Sequence, residues 1–382
     1  MAGAARDWSS AEEVLCVRLD TIGDVLMTGP AMRALRSSGA RPRITLLTSG
    51  PGAAAGELMP DVDEVLVYEA PWMKRGARQG QDFSADLAMI DELRRRRFDA
   101  AVIFSVYSQS ALPAAVMCRL AGVPLRLAHS RDKPYALLTD HVPDPEPYEL
   151  VRHEVRRQLD LVAAVGATTA DERLAVRVGP DQRTRAAELL EHLELDGGRP
   201  WAVLHPGGSA PSRRYPAELW AEACHTLAAE HGVQFVMTGD ADEAALANAI
   251  AHSAKLPDRS LAGRLSLGEL AALLEAAPLL LSGNTGPVHL AAAVGTPVAD
   301  LYALTNPQHT PWGVPNQVLS HDVSCRWCES SICREGHHRC LRGVRPAEVV
   351  NAALDLLEHG RSGNSPNRVP LNGRMVTGGQ QP

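Results

Sequence analysis

Short apolar runs alternate with longer stretches of helical periodicity along most of this chain. Residues 14–19 (VLCVRL) form a run short enough for a buried strand, which passes through Asp20-Thr21-Ile22-Gly23-Asp24 into a helical stretch closed by Gly39. Residues 43–48 (RITLLT) and 64–68 (EVLVY) read as the next strands, with a segment rich in Gly, Ala and Pro between them. The pattern then predicts a helix over 83–97, a strand over 99–105, a helix over 109–121, a short strand over 125–128 and a long helix over 149–165. Strands alternating with helices imply a parallel sheet covered on both faces. Residues 179–200 hold a helix between two glycine-bearing breaks, and the alternation restarts after them. Strands are predicted at 201–204, 233–237, 279–281 and 298–302, with helices over 217–230, from about 242, and over 266–277. The fold class is therefore α/β, with two consecutive units in the pattern of two facing Rossmann-like domains and an interdomain cleft. They are expected at residues 13–180 and 199–360, and residues 361–382, rich in Gly, Pro and polar residues, are expected to be a disordered tail.

A length of 382 residues suits two domains that each bury a core. A hydrophobic fraction of 45% and a charged fraction of 22% fit a soluble globular chain, and a formal charge of −7 argues against a dedicated nucleic-acid binder. No run approaches the roughly 20 apolar residues of a membrane helix. The opening MAGAARDWSSAEE lacks the features of a secretory signal, so a cytoplasmic protein with reduced cysteines is expected. The run Arg94-Arg95-Arg96-Arg97 reads first as a solvated helix end favoured by the helix dipole, and second as attraction to an anionic membrane surface.

Candidate chemistry gathers at three turns. In LLLSGNTGPVHLAAA (279–293), Thr285-Gly286-Pro287 follows an apolar run and opens an alanine-rich helix, which gives a helix N-terminus suited to a diphosphate. The competing reading is an ordinary strand-turn-helix connection. His205-Pro206-Gly207-Gly208-Ser209, followed by Ser212-Arg213-Arg214-Tyr215-Pro216, offers backbone N–H groups, a hydroxyl and guanidinium groups to phosphate oxygens. It lacks the lysine of a P-loop, and no clean GxGxxG follows the first strand, so nicotinamide chemistry recedes. The third turn is the one at Asp20 to Asp24.

Taken together, RLDTIGDVLMTGPAMRAL, LHPGGSAPSRRYP and GNTGPVHLAAAVGTPVADLY, in this order, resemble glycosyltransferase family 9, the ADP-heptose:lipopolysaccharide heptosyltransferases, over residues 14–357. The resemblance implies a GT-B fold and inverting transfer of heptose from ADP-L-glycero-D-manno-heptose to the lipopolysaccharide core, on a lipid A-Kdo or inner-core heptose acceptor. It implies an N-terminal acceptor-binding domain and a C-terminal nucleotide-sugar-binding domain, no cofactor for catalysis, no nucleic-acid partner, and a cytoplasmic protein at the inner-membrane surface. It also implies that the final helix, near 347–358, crosses back onto the N-terminal domain.

Asp24 matches the family's general base, and inversion independently needs a carboxylate to take the acceptor hydroxyl's proton; Asp20 is its rival, and a helix-capping role its plain alternative. Donor binding falls on Gly23, Ser209, Arg213, Glu243, Leu265, Asn284, Thr285, Gly286, Pro287 and His289. Glu243 is placed toward the ribose, Leu265 toward the adenine face and His289 beneath the turn. Two positions depart from the family: lysine is usual where Arg213 stands, and aspartate is frequent where Asn284 stands. Other acceptors, protein or small molecule, and a non-catalytic nucleotide-sugar-binding scaffold are the competing functions.

Cys325, Cys328, Cys333 and Cys340 are spaced C-x2-C-x4-C-x6-C beside His337 and His338, roughly the arrangement of a metal knuckle. The resemblance carries a cysteine-rich segment in many members, and related protein heptosyltransferases bind iron through cysteines. A structural zinc or iron is the expectation here, with reduced, packed thiols as the alternative. Cys16, Cys118 and Cys224 lie in apolar surroundings and read as core.

Overall fold

The computed structural model describes residues 7–73 and 83–359. Its chain divides into two units between Ala175 and Val176. In the first, the strands β1 (Glu13–Arg18), β2 (Arg43–Thr48), β3 (Glu64–Val67), β4 (Ala100–Ile103), β5 (Leu125–Ser130) and β6 (Asp140–Pro143) form one sheet ordered β3-β2-β1-β4-β5-β6. Every pairing is parallel, and β1 sits centrally, with Val14 opposite both Ile44 and Ala100. That position explains its almost unbroken apolar run, since a central parallel strand is covered on both faces. The helices are α1 (Ile22–Arg36), α2 (Gly50–Gly56), α3 (Ser84–Arg96), α4 (Leu112–Leu120) and α5 (Glu154–Ala163). Strand order reverses between β1 and β4, so their carboxyl ends open a crevice at the topological switch point, where ligands of such sheets bind.

The second unit repeats the design with β7 (Trp201–His205), β8 (Gln234–Met237), β9 (Leu280–Gly283), β10 (Val298–Leu301) and β11 (Asn316–Leu319), ordered β11-β10-β9-β7-β8 and wholly parallel. Its helices are α6 (Pro180–His192), α7 (Ala217–His231), α8 (Ala244–Ser253), α9 (Leu267–Ala276), α10 (Gly286–Val294), α11 (Arg339–Arg342) and α12 (Pro346–His359). Its switch point lies between β7 and β9. One core face gathers Leu204, Met237, Leu281 and Leu301 against a fully buried Trp220, whose ring meets Tyr215 edge-on at 5.1 Å. Among the described residues no helix is long and apolar enough to cross a membrane.

Several elements differ from the sequence reading. The helix expected over 149–165 starts only at Glu154, because Asp144 and Glu146 turn inward to receive Arg157, and His153 Nδ1 accepts the Val155 N–H as a cap. The Gly-, Ala- and Pro-rich segment after β2 is helical: Ser49 caps α2, and Gly52 and Gly56 let it lie close on Thr48 and Leu46. The helix over 180–192, read from the sequence as part of the connection, packs on α9 of the second unit, with Arg183 Nε 2.6 Å from Glu275. As far as it is described, the final helix packs on the core of the second unit. Val349, Val350, Ala353 and Leu356 of α12 belong to the second core, against α7, β10 and β11. The tail expected at 361–382 lies outside the described residues.

Candidate active site

At the carboxyl end of β1 the chain presents three charged residues in seven positions, and the fold turns all three onto one another. Arg18 is completely buried; its Nε lies 2.9 Å from Asp20, its Nη2 3.2 Å from Asp24 and its Nη1 2.7 Å from Glu154 on α5. Asp24 stands in the first turn of α1, with Thr21 as the N-cap and Gly23 buried beside it. Its second oxygen is 3.4 Å from the Thr21 hydroxyl. Asp20 also accepts from Gln109 Nε2 at 2.6 Å. Burial pushes the Asp20 carboxyl up to about 6, and the neighbouring Asp24 charge adds to the rise against the pull of Arg18. Asp20 lines a pocket of about 280 Å³ together with Trp72, Met73, Ser105, Ser108 and Gln109, located at the β1/β4 switch.

At the carboxyl edge of the second sheet the phosphate-suited loops converge. Glu243 is 9% exposed; its Oε1 accepts the Gly208 N–H at 2.6 Å and its Oε2 the Asp240 N–H at 2.9 Å. A Cβ on Gly208 would stand 2.8 Å from the Thr285 methyl, and one on Gly283 would stand 2.8 Å from the Arg213 carbonyl, so the turns after β7 and β9 touch. Both glycines are close-approach positions. Thr285, Gly286 and Pro287 open α10, and Thr285 makes no side-chain cap. Ser209 is exposed, Arg213 donates through Nε to Thr305 at 3.3 Å, and Leu265 is half-buried beyond the left-handed Gly263. His205 is held below its usual range by burial, with Nε2 3.7 Å from Glu243.

Two residues expected to contact a donor lie inward. Asn284 is 5% exposed, and its Nδ2 donates to Asp300 Oδ2 at 3.0 Å and to the His309 carbonyl at 2.5 Å. His289 is buried edge-on to His309. The Asn284–Asp300 pair accounts for the departure at 284, since an aspartate there would set two buried carboxylates side by side. Burial already pushes Asp300 up to about 7. Because the folded chain binds this proton more tightly than the unfolded one, the carboxyl stabilises the fold fully below about pH 4, and that share is lost as pH rises through about 7. Asp300→Asn is expected to remove this slope, on the order of 3 kcal/mol across the window at ~1.4 kcal/mol per unit. Chemical denaturation of both proteins at pH 4, 5.5 and 7 measures it, and parallel curves would mean that Asp300 does not titrate there.

Sequence reasoning missed Arg18, Gln109, Glu154 and Asp300. The available signal for Arg18 and Asp300 was a charge inside an apolar strand run. The four cysteines of the C-terminal segment are half-buried. Cys325 Sγ lies 3.7 Å from His337 Nε2, and burial together with Cys333 and Cys325 raises the Cys340 thiol. Among the described residues no group of three or more His, Cys, Asp or Glu is arranged to hold a metal ion. The four-thiolate knuckle expected from the spacing is thus not assembled by this geometry. Cys16, Cys118 and Cys224 are buried core residues.

The sequence model of glycosyltransferase family 9 (heptosyltransferase) matches residues 87–338. Lipopolysaccharide heptosyltransferase 2 of Escherichia coli (strain K12) is 24% identical over 356 residues, which cover 90% of this chain and 98% of that protein. Among solved structures, the glycosyl transferase family 9 protein from Veillonella parvula has a TM-score of 0.76 at 20% identity, over 93% of this chain and 99% of that one. E. coli heptosyltransferase WaaC with ADP has a TM-score of 0.62 at 19% identity, over 92% and 99% of the two chains. These likenesses show the fold, two parallel-sheet α/β domains of the GT-B class. With well over half of its length matched by the family's own sequence pattern, the chain belongs to glycosyltransferase family 9, the heptosyltransferases.

Proposed function

We propose that this enzyme moves heptose from ADP-L-glycero-D-manno-heptose to a sugar of the lipopolysaccharide core, with inversion and without a catalytic metal. The observation that carries the reading is the junction at the β7/β9 switch, where the Glu243-pinned glycine loop touches the open N-terminus of α10. Such a terminus offers N–H groups and a favourable dipole to a diphosphate. Gly208 spends its N–H on Glu243, so the diphosphate falls to the Ser209 hydroxyl, Arg213, Thr285 and the Gly286 N–H. As the anomeric C–O bond to ADP breaks, these groups hold the charge that builds on the leaving group. Glu243 and Leu265 flank the adenosine, while Asn284, Pro287 and His289 shape the turn from below and beside it. A structural relative of the same fold is described with ADP, which supports a nucleotide diphosphate as the ligand class.

The first unit supplies the base. Asp24 takes the proton of the acceptor hydroxyl as that oxygen attacks the anomeric carbon, and Gly23 is buried beside it in the first turn of α1. The pocket beside Asp20 receives the acceptor sugar, with Trp72 as an apolar wall and Ser108 and Gln109 as hydroxyl partners. A lipid-linked acceptor at the inner-membrane surface fits the exposed Leu87 of α3 and Val116 and Leu120 of α4, beside Arg94, whose Nη2 reaches the Leu120 carbonyl at 3.0 Å. No step of the transfer runs through the cysteine segment, where a zinc or iron would be structural. Purified protein given a panel of nucleotide sugars and core acceptors, with products identified by mass spectrometry, tests the reading. Transfer of heptose from the ADP donor to a core glycan supports it, and transfer only to a protein, or ADP binding without any turnover, overturns it.

A further inference from the structure

One guanidinium here serves three carboxylates. Arg18 brings a single positive charge, and Asp20, Asp24 and Glu154 bring three negative ones when ionised, all within 3.2 Å of its nitrogens. Arg18 and Glu154 are wholly buried, whereas the side chains of Asp20 and Asp24 keep 12% and 19% exposure. The buried end of this chain is therefore closed to solvent and the open end faces the reaction. Glu154 Oε1 also accepts from Gln158 Nε2 at 2.7 Å, and Gln158 donates to the Ser105 carbonyl at 3.1 Å, in the pocket wall. Among the described residues Glu154 Oε2 has no hydrogen-bond partner, so Glu154 acts on the site through Oε1 alone.

We infer that Glu154 is a positioning residue for the base: from α5 it fixes the plane of Arg18 and withholds part of its charge from Asp20 and Asp24. The inference rests on the reading of Asp24 as the base. A carboxylate fully matched by an arginine is a poor proton acceptor, whereas one that shares its arginine with two others remains basic. Groups that face the aspartates include Arg18 from β1, Glu154 from α5, Thr21 at the start of α1 and Gln109 after β4, and the α2 side brings the Ser49 hydroxyl, which donates to the Asp20 backbone carbonyl. Arg18 is the cation that all three acids share, so its division among them bears on their basicity. The Asp20 carboxyl is raised mainly by burial, with the Asp24 and Glu154 charges adding to the rise against the pull of Arg18.

The test is the pH profile of kcat/KM for Glu154→Gln, Glu154→Asp and Arg18→Lys, with Asp24→Asn in parallel and melting curves for each. Glu154→Gln frees Arg18 for the aspartates, so the acidic limb is expected to move down by about half a unit or more and the plateau kcat to fall several-fold, at unchanged donor KM. Glu154→Asp keeps the charge and should hold the limb near that of the parent. Arg18→Lys cannot meet three carboxylates from one nitrogen and should move the limb upward. Should Glu154→Gln not fold, the direction of the Arg18→Lys limb decides in its place. An unmoved limb in the folded variants, whatever happens to kcat, overturns the inference and leaves Glu154 a structural residue. The base reading fails separately, through an active Asp24→Asn; a moved limb with that result keeps the role of Glu154 and transfers the base to Asp20.

Discussion

Asp24→Asn is expected to lower kcat by about 10²–10⁴-fold, the usual worth of a general base. The carboxamide is isosteric and can still accept from Arg18 Nη2, so the first turn of α1 and the Arg18 cluster keep their geometry. What it loses is the capacity to take a proton. Donor binding is assigned to the second unit, so the ADP-heptose Kd is expected to change by less than about twofold, the pattern of a group that acts only in the transition state. Calorimetric titration with ADP-heptose and single-turnover product formation read the two quantities separately. Equal turnover by variant and parent would remove Asp24 from the mechanism. Loss of donor binding together with a lower melting temperature would return it to a capping role. Asp20→Asn is the companion experiment: Asp20 lines the acceptor pocket and is held by Gln109, so its loss is expected in acceptor KM first.

The architecture was legible wherever an element is covered on both faces. β1, β2 and β9 are central or near-central parallel strands, and their apolar runs announce them. The edge strands β6 and β11 were not legible, because Asp140-His141-Val142-Pro143 and Asn316-Gln317-Val318-Leu319 are only partly buried and carry polar residues at half their positions. The helix α2 was hidden by its own composition, since the glycines that permit its close contact with β2 are also the residues that argue against a helix. Local chemistry was equally legible: the loops after β7 and β9 each carry their functional groups within a few residues. Pairs distant in sequence were not. Arg18 and Glu154 are 136 residues apart, and nothing in either neighbourhood names the other. The one trace is that each buried charge interrupts an apolar pattern, Arg18 in VLCVRL and Asp300 in VADLY, and a charge in such a run needs a buried partner.

The cysteine segment separates spacing from geometry. Four thiols within sixteen residues suggest a closed knuckle, but the backbone between them turns through left-handed conformations at Trp327, Glu329, Gly336 and His338. Those turns redirect the chain at four places, so separation along the sequence does not fix separation in space. Asn284 teaches the same lesson at smaller scale. Its position in the turn suggests a ligand contact, whereas the buried Asp300 sixteen residues later draws its amide inward.

Gly207→Ala is expected to cost at least about tenfold in ADP affinity and to lower the melting temperature. A Cβ at this position would lie 2.1 Å from the Glu243 carboxyl carbon and 2.2 Å from both of its oxygens. An unpinned carboxylate could swing aside cheaply. This one is fixed by the Gly208 N–H at 2.6 Å and the Asp240 N–H at 2.9 Å, and it can move only by giving up both bonds. Hydrogen bonds to a charged group are worth ~1.5–3 kcal/mol each, and the buried N–H groups left behind add their own desolvation cost. With Glu243 displaced, the loop after β7 no longer holds its contact with the turn that opens α10, and the diphosphate loses a preformed site. Gly208→Ala is the milder control, since its new methyl meets only the Thr285 methyl, at 2.8 Å. Glu243→Gln should reproduce much of the Gly207→Ala effect without any clash, because an amide nitrogen cannot accept from the second backbone N–H. Calorimetric ADP binding and melting curves for the three variants decide the matter: parent-like affinity in both Gly207→Ala and Glu243→Gln would show that the Glu243 clamp does not shape the donor site.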